Sequence, residues 1–122
     1  MSLKLLIADD EYFIRQRIKK IIPWEKLNLT FAGEAENGQQ VIDHLEKEPV
    51  DLLLLDIKMP QMNGIETARY IKEHFPSVHM LILSGYNDFE YARTVIRYGV
   101  KEYLLKPVAA EELERALSEC IQ

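Results

Sequence analysis

The stretch Asp51-Leu52-Leu53-Leu54-Leu55-Asp56 sets four consecutive leucines between two carboxylates. A run of this length that is apolar at every position, rather than at every second one, fits a strand buried on both faces. Similar short runs lie outward from it at Lys4 to Ala8, Thr30 to Ala35, Val78 to Leu83 and Glu102 to Leu105. With Asp51 to Leu55 they make five expected strands. The segments between and after them carry helical spacing: Ile14, Ile18, Ile21 and Ile22; Val41 and Leu45; Ile65, Ala68 and Phe75; Phe89, Ala92 and Ile96; Leu113, Ala116, Leu117 and Cys120. Pro23, Pro49 and Pro76 fall after helical segments, and Gly38, Gly64 and Gly99 fall at element edges. Strict alternation of strand and helix with short connections predicts an α/β fold, a mainly parallel sheet with five helices distributed over both faces. An antiparallel sheet would need hairpin turns between neighbouring runs, and none is visible.

The chain has 122 residues, of which 48% are hydrophobic and 29% charged. At 14.3 kDa, a folded surface of roughly 6,800 Å² against roughly 21,000 Å² unfolded leaves about two thirds to be buried, enough for one core without disulfides or metals as staples. One domain over residues 1–122 is expected. The longest uninterrupted apolar runs are four residues, at Leu5 to Ala8, Leu52 to Leu55 and Met80 to Leu83, far short of the ~20 that cross a bilayer. No signal pattern opens the chain, and the single Cys120 suits a reducing, cytoplasmic setting. A net charge of -5 argues against direct nucleic-acid binding, which relies on clustered Lys and Arg.

Four of the five runs end on a chemically distinctive residue: Asp9-Asp10 after the first, Asp56 after the third, Ser84 after the fourth and Lys106 after the fifth. All are carboxyl ends of strands, which in an open parallel sheet lie along one edge where ligands bind. Singly, Asp9 or Asp10 reads as a helix cap and Ser84-Gly85 as a turn. Together they predict a cluster of three carboxylates, a hydroxyl and an ammonium. Two carboxylates ~5 Å apart repel by ~3 kcal/mol at an effective dielectric of ~20, so three ionised together cost on the order of 10 kcal/mol. Lys106 offsets part of this, and a hard divalent cation, Mg²⁺ retaining several waters, offsets more. His44, His74, His79 and Cys120 show no ligand spacing, which disfavours Zn²⁺. A carboxylate beside a cation, a lysine and a hydroxyl suits attack on phosphorus to give an aspartyl phosphate.

These residues resemble the receiver domains of two-component response regulators. The resemblance runs from Lys4 to about Ile121 and rests on Ile7-Ala8-Asp9-Asp10-Glu11, Leu55-Asp56-Ile57-Lys58-Met59-Pro60, Asn63-Gly64, Leu83-Ser84-Gly85 and Tyr103-Leu104-Leu105-Lys106-Pro107. It implies a flavodoxin-like five-stranded sheet of order 2-1-3-4-5. It implies that Asp56 accepts a phosphoryl group from a sensor histidine kinase. Asp10 and Asp56 would bind Mg²⁺ directly, Asp9 mostly through a metal-bound water, and Lys58 through its backbone carbonyl. Lys106 would pair with the phosphoryl group, and its bond to Pro107 would be cis. Ser84 would move toward the phosphoryl oxygen after transfer and Tyr103 would turn inward behind it, altering a surface formed by about Asp88 to Tyr98, Glu102 to Leu105 and the helix from about Glu111. Lys58 and Tyr86 would gate water at the site.

Pro23-Trp24-Glu25 and the segment Ser84 to Ala92 also resemble receivers that precede an AraC-type helix-turn-helix output. The expectation is therefore the N-terminal fragment of a longer transcription regulator that dimerises on phosphorylation, the alternative being a stand-alone receiver. A pseudo-receiver that only binds protein is disfavoured because all five site positions are filled. An Asp-nucleophile hydrolase is disfavoured because Lys58 stands where such phosphatases have a second Asp. A flavin carrier is disfavoured because Asp9-Asp10-Glu11 would repel a phosphate. The chain is expected to be a signalling switch that takes part in its own modification rather than an enzyme.

Overall fold

The computed structural model describes residues 2–85 and 89–121. Its sheet has five strands, β1 (Leu3–Ala8), β2 (Leu29–Ala35), β3 (Leu52–Asp56), β4 (His79–Ser84) and β5 (Glu102–Leu105), all parallel and in the order β2-β1-β3-β4-β5. The helices are α1 (Tyr12–Ile21), α2 (Trp24–Leu27), α3 (Gly38–Lys47), α4 (Gly64–His74), α5 (Phe89–Val95) with a 3₁₀ turn at Ile96–Tyr98, and α6 (Ala110–Ile121). The expected fold class, strand order and strand positions hold. The count of five helices does not, because Trp24–Leu27 forms a further single turn closed by Asn28 in the left-handed region at φ 56°. One turn is too short to show a 3.6-residue period.

Alternation along the strands divides the core into two layers. Leu5, Ile7, Leu52, Leu54, Leu81, Leu83 and Leu104 pack with Ile18 of α1 and with Leu113, Ala116 and Leu117 of α6. Leu6, Ala8, Leu53, Leu55, Met80 and Ile82 face the other way, onto Val41, Ile42 and Leu45 of α3 and Ala68 and Ile71 of α4. Residues 52 to 56 are buried without exception, as a central strand covered on both faces requires. Each fully buried leucine side chain contributes about 2 kcal/mol by removal from water.

The helix starts use local chemistry. Asn63 caps α4 by accepting from the Glu66 amide, while the Glu66 side chain accepts from the Asn63 amide, a reciprocal pair worth about 1 kcal/mol. Asn37 caps α3 in the simpler way, accepting from the Gln40 amide at 2.8 Å. Among the described residues no helix is long and apolar enough to cross a membrane.

Candidate functional site

Strand register brings the polar ends level. Ala8 pairs with Leu55, Asp56 with Leu83, and Ser84 with Leu105, so Asp9, Asp56, Ser84 and Lys106 follow one another across the carboxyl edge. Backbone bonds continue the ladder beyond the strands: the Asp9 amide donates to Ala35 O at 3.0 Å, Ile57 to Leu83 O at 3.0 Å and Lys106 to Ser84 O at 2.8 Å. Each site residue is thus fixed by the main chain of its neighbour. The Lys106-Pro107 bond is cis, as expected.

The side chains make two sets of contacts at this edge. Asp9, Asp56 and Lys106 have the strand parity of Ile7, Leu54 and Leu104, on the α1 and α6 side of the sheet. Lys106 Nζ lies 2.7 Å from Asp9 Oδ2 and 3.1 Å from Asp56 Oδ1. Carboxylate oxygens of Asp9, Asp10 and Asp56 fall within 4.8 Å of one another. Ser84 has the opposite parity, that of Ile82, and its hydroxyl donates to the hydroxyl of half-buried Tyr103. Tyr103 and Ser84 thus touch through their hydroxyls in this structure. Lys58 is exposed in the loop after β3, and Tyr86 and Asp88 lie outside the described residues.

Burial makes the acidic group electrostatically tense. Asp9 is fully buried and Asp56 is 3% exposed, while Asp10 faces solvent. Desolvation, then the charge of Asp9, pushes the Asp56 carboxyl up to about 7, with Lys106 acting in the opposite direction. Burial by itself would lower the Lys106 amine, but its hydrogen bond to Asp9 and the charges of Asp56 and Asp9 outweigh this and raise it. One ammonium therefore balances only part of three clustered carboxylates. This all-oxygen donor set with excess negative charge fits a hard divalent cation, and among the described residues it is the cluster of metal-ligating type.

Two residues frame the site: Arg15, which the sequence patterns do not single out, and Gly64, which they place at an element edge without a role in the site. The buried Arg15 on α1 donates from Nη1 to the backbone oxygen of Asp9 at 2.8 Å and from Nε to Glu34 Oε1 at 2.7 Å. Burial works to raise the Glu34 carboxyl, but hydrogen bonds from Arg15 and Lys19 prevail and hold it below its ordinary value. The other is Gly64, whose amide donates to Ile57 O at 2.7 Å. A Cβ on Gly64 would sit 2.4 Å from Asp56 O and 2.6 Å from Ile57 Cα. These are main-chain atoms and cannot swing aside. Gly64→Ala is therefore expected to cost about 3 kcal/mol and to displace the end of β3, read as a lower urea midpoint at unchanged slope.

The response regulator receiver domain model matches residues 5–118. The uncharacterised transcriptional regulatory protein YesN of Bacillus subtilis is 38% identical over 118 residues, covering 97% of this chain and 32% of that protein. The transcriptional regulatory protein HptR of Staphylococcus aureus is 35% identical over 119 residues, covering 98% of this chain and 46% of its own length. This chain thus spans less than half the length of these two regulators. Among solved structures, the REC domain of AraT, a response regulator from Geobacillus stearothermophilus, superposes with a TM-score of 0.94 at 37% identity, covering 99% of this chain and 94% of that one.

Proposed function

The chain belongs to the response regulator receiver family, and from that membership we propose that it is a phosphorylation switch with Asp56 as acceptor. The observation that carries this reading is the meeting of Asp56, Asp9 and Lys106 within 3.1 Å contacts at the carboxyl edge, with Asp10 alongside. Asp56 and Asp10 would hold Mg²⁺, with Asp9 and the Lys58 carbonyl beside them. When bound, the ion supplies two positive charges that keep Asp56 ionised near neutrality and offset the negative charge of a phosphoryl group.

An Asp56 carboxylate oxygen attacks phosphorus on the phosphohistidine of a sensor histidine kinase. The new O–P bond forms as the P–N bond breaks, and the bonding pair leaves with the imidazole nitrogen. Lys106 pairs with one peripheral oxygen. The Ser84 hydroxyl turns from Tyr103 to another, so the cost of breaking one neutral hydrogen bond is set against the gain of a charge-assisted one, roughly twice as strong. That difference is the free energy available to shift the population of the output surface.

In this reading residues 1–122 form one receiver domain of a cytoplasmic transcription regulator. It leads into a DNA-binding output of the kind found in AraC-type proteins, and phosphorylation favours a homodimer. The receiver itself does not touch nucleic acid. Incubation with Mg²⁺ and acetyl phosphate is expected to add the mass of one phosphoryl group, mapped to Asp56 by peptide analysis. The added mass should vanish in Asp56→Asn and on chelation. Undiminished labelling of that variant would overturn the acceptor assignment, and an unlabelled parent chain would favour the pseudo-receiver alternative.

A further inference from the structure

Asp9 makes four polar contacts. Its amide donates to Ala35 O, Oδ1 accepts from the Glu11 amide at 2.8 Å, Oδ2 pairs with Lys106, and its carbonyl oxygen accepts from Arg15 Nη1 at 2.8 Å. The last of these comes from a guanidinium that is 6% exposed and that no step of phosphoryl transfer uses. Arg15 is itself anchored at the other end. Its Nε reaches Glu34 Oε1 at 2.7 Å and its Nη2 lies 3.9 Å from Glu36 Oε1. Glu34 is held in turn by Gln16 at 3.0 Å and Lys19 at 3.3 Å, and the Tyr12 ring covers the guanidinium at 5.7 Å.

The fork therefore spans the gap between the end of β1, where the Asp9-Asp10 turn begins, and the end of β2. A guanidinium is planar with donors in fixed directions, so two simultaneous bonds fix both distance and angle between what they join. We propose that Arg15 is a positioning residue for the cation site, holding the Asp9-Asp10 turn in the geometry that binds the ion. The inference rests on the cation-dependent reading above.

Charge and geometry predict opposite signs. As a bare positive charge near the acidic cluster, Arg15 would repel a cation, and its removal would tighten binding. Its charge is largely met by Glu34 and Glu36, so what removal chiefly takes away is the fork, and binding weakens. Partners that orient metal ligands in this way are typically worth 10- to 100-fold in metal affinity.

The test is titration of the 122-residue chain with Mn²⁺, following the free ion by its paramagnetic resonance signal and confirming competition by Mg²⁺. Thermal melts establish that each variant is folded at the titration temperature. Arg15→Met is expected to weaken Mn²⁺ binding about tenfold. Arg15→Lys, which keeps the charge and loses the fork, should weaken it to a similar degree. Glu34→Gln, which leaves Arg15 present with a poorer anchor, is expected to weaken it about threefold, less than the roughly tenfold lower end for losing such a partner outright. Tighter binding by Arg15→Met, or parental affinity in Arg15→Lys, would assign the residue to charge and overturn the proposal. Should both arginine variants fail to fold, Glu34→Gln decides, and its unchanged affinity overturns the proposal. A parent chain that binds no Mn²⁺ would bring down the cation site and this inference together, whereas parental binding with every variant unchanged would remove only the role of Arg15.

Discussion

Lys106→Ala is expected to lower the unfolding free energy of the metal-free chain at pH 8 by about 3–5 kcal/mol, the cost of removing one partner from a buried ion pair. Lys106 is the ammonium that contacts both Asp9 and Asp56, at 2.7 and 3.1 Å, and Asp9 is fully buried. Without it two desolvated carboxylates face each other, and the site relaxes only by taking up a proton. The folded state raises the Lys106 amine above its ordinary 10.5. A raised amine contributes stability that is complete below the unfolded value and is lost as pH climbs through the folded one, so at pH 8 the whole contribution is at stake. Saturating Mg²⁺ should restore part of the loss, because a cation that binds only the native state stabilises it by mass action. Urea unfolding of the parent and variant, each with and without Mg²⁺, measures both effects. Equal stability of the two metal-free proteins would show that Lys106 does not balance the pocket. The sequence marks Lys106 as a partner of the carboxylates and of the phosphoryl group; the burial of Asp9 is what adds a stability cost.

Much of the architecture was legible because the signals were local. Leu52 to Leu55 and Met80 to Leu83 are apolar at every position, a pattern that only two-sided burial demands, and both are central strands. Asn63-Gly64 announces a helix start, and Asn63 caps α4. The 24–27 turn was missed because four residues carry no period. In the sequence the cluster was visible as a set of strand ends, but which side chains contact which was not drawn from it. Parity was available: Asp56 follows Leu54 by two, Lys106 follows Leu104 by two, and Ser84 follows Ile82 by two. Combined with the register, that arithmetic gives Ser84 the opposite strand parity from Asp56 and Lys106, in line with its contact to Tyr103. Arg15 left no comparable trace, since an arginine on an amphipathic helix ordinarily faces water. Its burial depends on Glu34 arriving from β2, a contact across 19 residues of chain that no short-range pattern encodes.

Asp56→Asn is expected to have the opposite effect from Lys106→Ala, making the metal-free chain more stable at pH 8. Burial first, and then Asp9, raises the Asp56 carboxyl from 3.8 to about 7. The folded state therefore holds this proton over a pH range in which the unfolded chain has released it. Below 3.8 both states are protonated and the residue costs nothing. As pH rises from 3.8 to about 7, stability drains away, and above that range the full penalty applies. A shift of roughly three pH units corresponds to about 4 kcal/mol at 1.36 kcal/mol per unit. Asparagine keeps the shape and removes the charge, so the variant should be more stable by several kcal/mol at pH 8, on the order of that figure, with the advantage narrowing steadily toward pH 4. Mg²⁺ should close the gap at pH 8, because it favours the ionised carboxylate of the parent and finds one charged ligand fewer in the variant. Urea midpoints across pH 4 to 8, in chelator and in excess Mg²⁺, provide the check. A stability difference that does not change with pH would mean that Asp56 is not the strained ionisable group, and an advantage that persists undiminished in Mg²⁺ would mean that the cation does not bind there. In the proposed reading the fold resists the ionised form of Asp56, and a cation together with Lys106 would make that form available at neutral pH.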